Sequence, residues 1–436
     1  MILVYTHKIT SRTNYIFRHI FNNILQTEFK FTTKIEEFIA YNGAKFSYAP
    51  QALANEFHIT PHPILFQQGV RNQEIKFGFW EDLPVFFQTP DSEIPFDIFA
   101  AVFFLISRYE EYLPHKTDEH GGYHNQNSIL NLQGILNQPI VELWIEKFKL
   151  SILEKFPDTS FNNRKFVFEP VINVSMARLF KNKSFLRHFS GSFREFFTLK
   201  WRLFSLRQKT YWGKTRDPYD TFHKIIQLKK QYNHPLTFFH LLHKYSQFDH
   251  NVSPDNSTYQ NQIKYLADYA GTGILTSYYS MKDEIQIKNE VDFLEQIIHK
   301  PIKKVKAHFN RIKIPDTYRF FIEAGLTQDY SMGYNHKIGF RAGTSIPFYF
   351  YDIKNESLTD LKVFPTTISD IMLRYRYYLP PEKALKIMIE QGEIIKKVGG
   401  NFHPVFHNFI LSDLRHWKNW NKLYIETIKH FATDDH

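Results

Sequence analysis

A chain of 436 residues, 43% hydrophobic, is long enough for two domains that each bury a core, and 17 Gly and 20 Pro are too few for a disordered or fibrous chain. The absence of Cys excludes disulfides, thiolate zinc sites and cysteine nucleophiles, so any metal would have to take His, Asp or Glu. The net charge of +10 is concentrated in residues 181–216, where ten Lys/Arg stand against the single acid Glu195, and this implies a local function or interface.

The N-terminal run from Met1 to Lys8 is too short for the apolar core of a secretory signal and has no small-residue cleavage site, so a cytoplasmic location is expected. Short strands lead to a helix predicted over Phe96 to Tyr112, where Phe99, Val102, Phe103 and Ile106 recur at helical spacing and Pro114 is the stop. Its apolar run, Ile98 to Ile106, is about half the ~20 residues a membrane-spanning helix needs.

After Asn162-Asn163-Arg164 a strand is predicted over Lys165 to Val174, and from there strands alternate with helices, the pattern of a β/α architecture with a largely parallel sheet. The boundary is placed near residue 160, giving domains 1–160 and 161–436. A helix over Pro218 to Gln231 takes Asp217 as its cap, with Phe222, Ile225 and Ile226 on one face; a strand over Leu236 to Leu242 follows. Further helices are predicted over Asn261 to Tyr269, Glu290 to Ile298 and Pro381 to Val398, the last ended by Gly399-Gly400, with a final strand over Asn401 to His407. No internal repeat or low-complexity run is present.

Two blocks resemble a known family. Phe96 to Pro114, with Asp118-Glu119-His120-Gly121, resembles the N-terminal domain found ahead of a bacterial polysaccharide-deacetylase-like domain. From Val171 onward the chain is similar to the chitooligosaccharide/polysaccharide deacetylases, through Asp217-Pro218-Tyr219-Asp220-Thr221-Phe222, Phe238-Phe239, His308-Phe309, Asp329 to Tyr334, Gly339 to Thr344 and His407-Asn408. The resemblance implies an α/β fold: a distorted (β/α) barrel of the polysaccharide deacetylase type, preceded by a smaller α+β domain. It also implies a divalent metal held by one Asp and two His, with a second Asp as base.

The carboxylates of that scheme are missing. Where the family writes Ile-Asp-x-Asp, this chain has Asn173 and Ser175; where it places a metal-binding His, this chain has Leu275 in Gly273-Ile274-Leu275-Thr276-Ser277-Tyr278. The family's Arg before the His-Phe pair becomes Lys306, and its acid after the Phe-Phe strand is replaced near His243-Lys244. His308, Asp329, Arg341 and His407 persist. Hydrolysis of an acetylated sugar needs a metal-activated water, a base and an acid for the leaving group, and one imidazole with an Asn or Ser oxygen holds a divalent cation weakly.

The candidate catalytic residues are therefore His407, as proton donor to a leaving group or as a satisfied buried histidine, and Asp329, as a base partner or a loop hydrogen-bonder. Asn173, Ser175, Tyr278, His308, Arg341 and Asn408 are the candidate substrate contacts. No cofactor is expected, Ser175 and Leu275 being the degenerate metal positions. His115, His120 and His124, with Asp118 and Glu119, fit no standard ligand spacing and read as a solvated loop.

Within 181–216 the aromatics Phe185, Phe189, Phe193, Phe196, Phe197, Trp201 and Phe204 recur at helical spacing, the pattern of an amphipathic helix that packs on the barrel or lies on an anionic membrane surface. No nucleic-acid motif accompanies the charge. Three functions follow as expectations: a pseudoenzyme that binds carbohydrate or regulates a partner in cell-surface polysaccharide production; an active metal-dependent carbohydrate deacetylase with an altered site; and a protein docked peripherally on the inner membrane face.

Overall fold

The computed structural model describes residues 1–182, 185–412 and 414–432, the side chains of residues 185–187 excepted. Lys183 lies outside the described residues, as do the side chains of Phe185 and Arg187.

The N-terminal part is built on four parallel strands, β1 (Ile2–Thr6), β2 (Phe29–Thr32), β3 (Lys45–Tyr48) and β4 (Phe57–Ile59), in the order β2-β1-β3-β4, with a hairpin of β5 (Phe77–Trp80) and β6 (Leu83–Phe86) beside them. The helix Ile98–Ile106 is buried on every side, which its unbroken apolar sequence dictates. Phe99 stacks on Phe17 of the helix Ser11–Arg18 at 3.8 Å between ring centres, and burying such a ring contributes about 1.5–3 kcal/mol. Asp97 caps the helix by accepting the Ala100 amide at 3.0 Å.

The helix predicted over Phe96 to Tyr112 breaks in two, Ile98–Ile106 and Tyr109–Tyr112, because Arg108 adopts the left-handed conformation (φ 55°). Its guanidinium binds Glu110 at 2.7 Å and Glu111 at 2.8 Å, both buried, and these bonds hold the turn that the periodicity could not reveal.

A second sheet has eight strands in the order β13-β14-β12-β11-β10-β9-β8-β16: β8 (Val171–Val174), β9 (Thr237–Leu241), β10 (Gly271–Thr276), β11 (Lys304–Ala307), β12 (Gln328–Asp329), β13 (Phe348–Asp352), β14 (Ser357–Val363) and β16 (Val405–His407). All pairings are parallel except β13 with β14. Strands such as β9, Thr-Phe-Phe-His-Leu, are buried at every position because both faces are covered. The sheet curls enough that Val171, Phe239, Leu241, Leu275, Tyr330 and Val405, from four strands and the residue after β12, form one inner apolar cluster. Its outermost strands, β13 and β16, do not pair with each other among the described residues.

The strand predicted over Lys165 to Val174 divides at Glu169-Pro170 into β7 (Val167–Phe168) and β8, and the last strand divides at His403-Pro404 into β15 (Asn401–Phe402) and β16, proline lacking the amide a ladder needs. β7 and β15 pair with each other. The predicted helix after Asp217 begins only at Phe222, and Asp217 caps nothing; its buried carboxylate accepts the amides of Leu179, Phe180, Lys181 and Tyr219. The helices near 261 and 290 start earlier than predicted, as Ser257–Ala267 behind the cap Asn256 and Glu284–Ile298 behind the cap Asp283.

Candidate functional site

Parallel β/α sheets gather their chemistry at the carboxyl ends of the strands, where backbone pairing stops and loops begin. Here those ends open into a cavity of about 400 Å³, lined by Asn173, Ser175, Lys306, His308, Asn310, His407 and the rings of Phe248, Phe309 and Phe409, among others.

Asn173 on β8 is the register partner of His407 on β16, so the two side chains share one face, with Ser175 two positions further along the chain. The Asn173 Oδ1 is buried without a hydrogen-bond partner, a desolvated acceptor at the cavity wall. His407 is fixed by Asp370, the first residue of the helix Asp370–Tyr375: its Nδ1 lies 2.7 Å from Asp370 Oδ1, and its amide donates to Asp370 Oδ2 at 2.7 Å.

His308, just past β11, repeats the arrangement. Its Nδ1 lies 2.9 Å from Oδ1 of Asp249, a fully buried carboxylate that also accepts the Tyr278 amide and the Ser246 hydroxyl. A carboxylate only accepts, so in both pairs the imidazole Nδ1 carries a proton, and in the neutral form of such a ring Nε2 is left as an acceptor. Burial lowers the His308 pKa, opposed by Asp249 and aided by His407 and His250, so the ring is neutral at pH 7. Burial alone would raise Asp249, but the bonds from His308, Ser246 and the Tyr278 amide lower it.

Lys306 brings an amine to the same wall. It is buried, and its Nζ donates to the Tyr330 carbonyl at 2.6 Å and to Asn310 Oδ1 at 2.8 Å. Burial pushes its pKa down to about 7, against the pull of Asp329.

Other sequence candidates stand elsewhere. Asp329 is fully buried, accepts the Tyr318 hydroxyl at 2.7 Å and the Ser331 amide at 3.0 Å, and is not among the lining residues; its pKa is raised, chiefly by burial. Arg341 is 1% exposed and binds Glu111 through two bonds of 2.8 and 2.7 Å. Asn408 donates to the Met176 and Tyr219 carbonyls, bracing the turn after β8. Tyr278 stacks on Phe248 at 3.8 Å, beneath the Arg311 guanidinium, and faces a neighbouring recess. Leu275 belongs to the inner apolar cluster.

The loop read as solvated behaves otherwise at several positions: the Asp118 side chain is 6% exposed and accepts the amides of His120 and Gly122, and His124 is half-buried. His120 is partly buried at the cavity edge, its Nδ1 3.2 Å from the Tyr278 hydroxyl and its carbonyl accepting from Arg311, so the N-terminal part supplies a piece of the wall. Asp249 and Asp370 were missed by the sequence reading. Asp249 lies on the loop after β9 that also carries His243 and Lys244. Ser369-Asp370 ahead of a helix is a capping signature, and that was the available signal for the other.

The strand ends supply no charged donor. Asn173 and Ser175 are neutral, and the carboxylates of Asp249 and Asp370 stand behind the imidazoles of His308 and His407, which leaves a divalent cation without the ligand charge that gives most of its affinity. Among the described residues no three His, Asp or Glu side chains come together as ligands.

Residues 2–157 match a family model described as a family of unknown function, DUF7033. No curated protein matches the chain. Among solved structures, a protein assigned as a polysaccharide deacetylase from Mycobacterium smegmatis is similar over 63% of this chain and 86% of its own, at 12% identity and a TM-score of 0.41. A CE4 family pseudoenzyme from Bacillus anthracis is similar over 62% of each chain, at 9% identity and a TM-score of 0.32. A polysaccharide deacetylase from Bacillus cereus is similar over 62% of this chain and 88% of its own, at 9% identity and a TM-score of 0.29.

Proposed function

We propose that this chain is a carbohydrate-binding relative of the deacetylase type, a distorted β/α barrel whose cavity holds a glycan of cell-surface polysaccharide metabolism without metal-dependent hydrolysis. The observation that carries the reading is the cavity wall itself: neutral Asn173 and Ser175 stand between two histidines whose Nδ1 atoms are both engaged. A sugar offers hydroxyls to such amide, hydroxyl and imidazole acceptors and its apolar C–H face to rings, here Phe248, Phe309 and Phe409. The unpartnered Asn173 Oδ1 gives a ligand hydroxyl a buried acceptor to satisfy.

Calorimetric titration with N-acetylated and de-acetylated oligosaccharides, with acetate release followed in the presence and absence of zinc and cobalt, tests this. Saturable sugar binding without acetate release is expected; stoichiometric metal with acetate release overturns it.

A second reading keeps chemistry without a metal. Each His–Asp pair leaves Nε2 as an acceptor, so His308 can take a proton from water while His407, once protonated, gives one to a leaving group. Acetate release that is indifferent to chelator and lost in His308→Gln supports it.

A further inference from the structure

The segment between Lys181 and Asp217 is rooted at one point, where Asp217 takes the amides of Leu179, Phe180 and Lys181 on one side and Tyr219 on the other. From that root two helices emerge, Phe185–Phe197 and Trp201–Tyr211, in place of the single amphipathic helix. Glu195 and Arg207 join them through two bonds of 2.8 and 2.6 Å, and Gln208 donates to the Ser192 hydroxyl at 2.9 Å. The only acid of the segment is thus consumed inside it.

What remains outside is one-sided. Arg194, Lys200, Arg202, Lys209, Lys214 and Arg216 are all exposed, and none has an ion-pair partner among the described residues. At the junction of the helices Phe193, Phe196, Phe197 and Trp201 form a chain of ring contacts while remaining substantially exposed, and Trp212 at the far end is 72% exposed. Leu199, also 72% exposed, sits between the helices in the left-handed conformation (φ 55°), where glycine or asparagine is the usual occupant. A chain that kept this turn only in water gains nothing from a leucine there.

We propose that this hairpin tip docks on a lipid bilayer bearing anionic headgroups, with Phe193, Phe197, Leu199 and Trp201 entering the boundary between headgroups and acyl chains and the surrounding cations facing phosphates. Aromatic and aliphatic side chains ringed by Lys and Arg without acids are the make-up of an interfacial anchor. Helices of 13 and 11 residues cannot cross a bilayer, so the hairpin lies on it.

The test is flotation of the full chain with phosphatidylcholine vesicles, with and without roughly one third phosphatidylglycerol. Co-flotation with the anionic vesicles alone is expected, weakened about tenfold between low and high salt. Leu199→Ser with Trp201→Ser should weaken it about tenfold, and Lys200→Glu with Arg202→Glu should abolish it, with melting temperatures unchanged because all four side chains are exposed. No flotation at low salt, equal flotation on both vesicles, or wild-type flotation of both paired variants overturns the proposal; a protein partner at this tip would give the first of these results.

Discussion

Asp370 grips His407 twice, one carboxylate oxygen facing the imidazole Nδ1 and the other holding the same residue's amide, each at 2.7 Å. The double contact fixes the ring's tautomer and its position on β16 together. Asp370→Asn turns one acceptor into a donor against a donor, so it should cost on the order of 1–3 kcal/mol of stability, read as a lowered melting temperature. His407→Ala should cost less, because the amide bond survives. Equal losses would mean that the ring contact carries the whole effect and the amide bond adds nothing.

Acid should destabilise the protein through its buried imidazoles. His240 has both ring nitrogens buried and unpartnered, and burial pushes its pKa from 6.5 down to about 3. The unfolded chain therefore binds a proton that the native state refuses, and stability falls as pH drops from about 6.5 towards 3, by about 1.4 kcal/mol per pH unit for this one group. Glu142 and Glu290, raised to about 7 by burial, act in the opposite sense between 4.5 and 7. The comparison that isolates His240 is urea unfolding of wild type and His240→Leu across that range: the difference between them should be constant near pH 7 and widen in acid in the variant's favour.

Lys306 should react as a free amine at neutral pH. With its pKa near 7, about half of it is unprotonated there, whereas a lysine at its ordinary value is almost wholly charged. Reductive methylation at pH 7 followed by peptide mass spectrometry should label Lys306 ahead of the exposed lysines once its access through the cavity is saturated. A bound oligosaccharide should protect it. Labelling whose pH profile shows no inflection near neutrality would show that the amine keeps its charge.

Two substitutions should create the metal affinity that the wild-type donors lack. Asn173→Asp with Ser175→Asp puts carboxylates beside His407 and within the cavity that His308 lines. Zinc affinity should tighten at least tenfold, about 1.4 kcal/mol, and the melting temperature without metal should drop because two like charges share one wall. Unchanged zinc titrations would place the imidazoles out of reach.

Arg341 is tested through its partner rather than through a ligand. Glu111→Gln leaves a buried guanidinium one charge short, and about 3–5 kcal/mol of stability should go with it. Sugar binding measured below the melting temperature should keep its affinity. A selective loss of binding would return Arg341 to the site.

Much of the site's location was legible because it depends on local order. The apolar run of β8 ending in Asn173 and Ser175, and the one of β16 ending in His407, announce strand ends, and strand ends in a parallel sheet share one rim. Partners were not legible. Arg341 and Glu111 are 230 positions apart, His308 and Asp249 are 59 apart, and nothing in spacing distinguishes a carboxylate folded against a ring from one in solvent. The break at Arg108 was hidden for the same reason, since helical periodicity continues through it while its ion pairs decide the backbone.

The carboxylate of Asp217 gathers chain from both ends of a segment 38 positions apart into one knot of amides. The strands on either side of that knot, β8 and β9, pair with each other directly. Evolution can therefore lengthen, shorten or replace the excursion without re-threading a single strand, and an engineer can do the same: a short Gly-Ser bridge from Lys181 to Arg216 should leave β8 and β9 in register and produce a chain that differs from its parent only in what it touches.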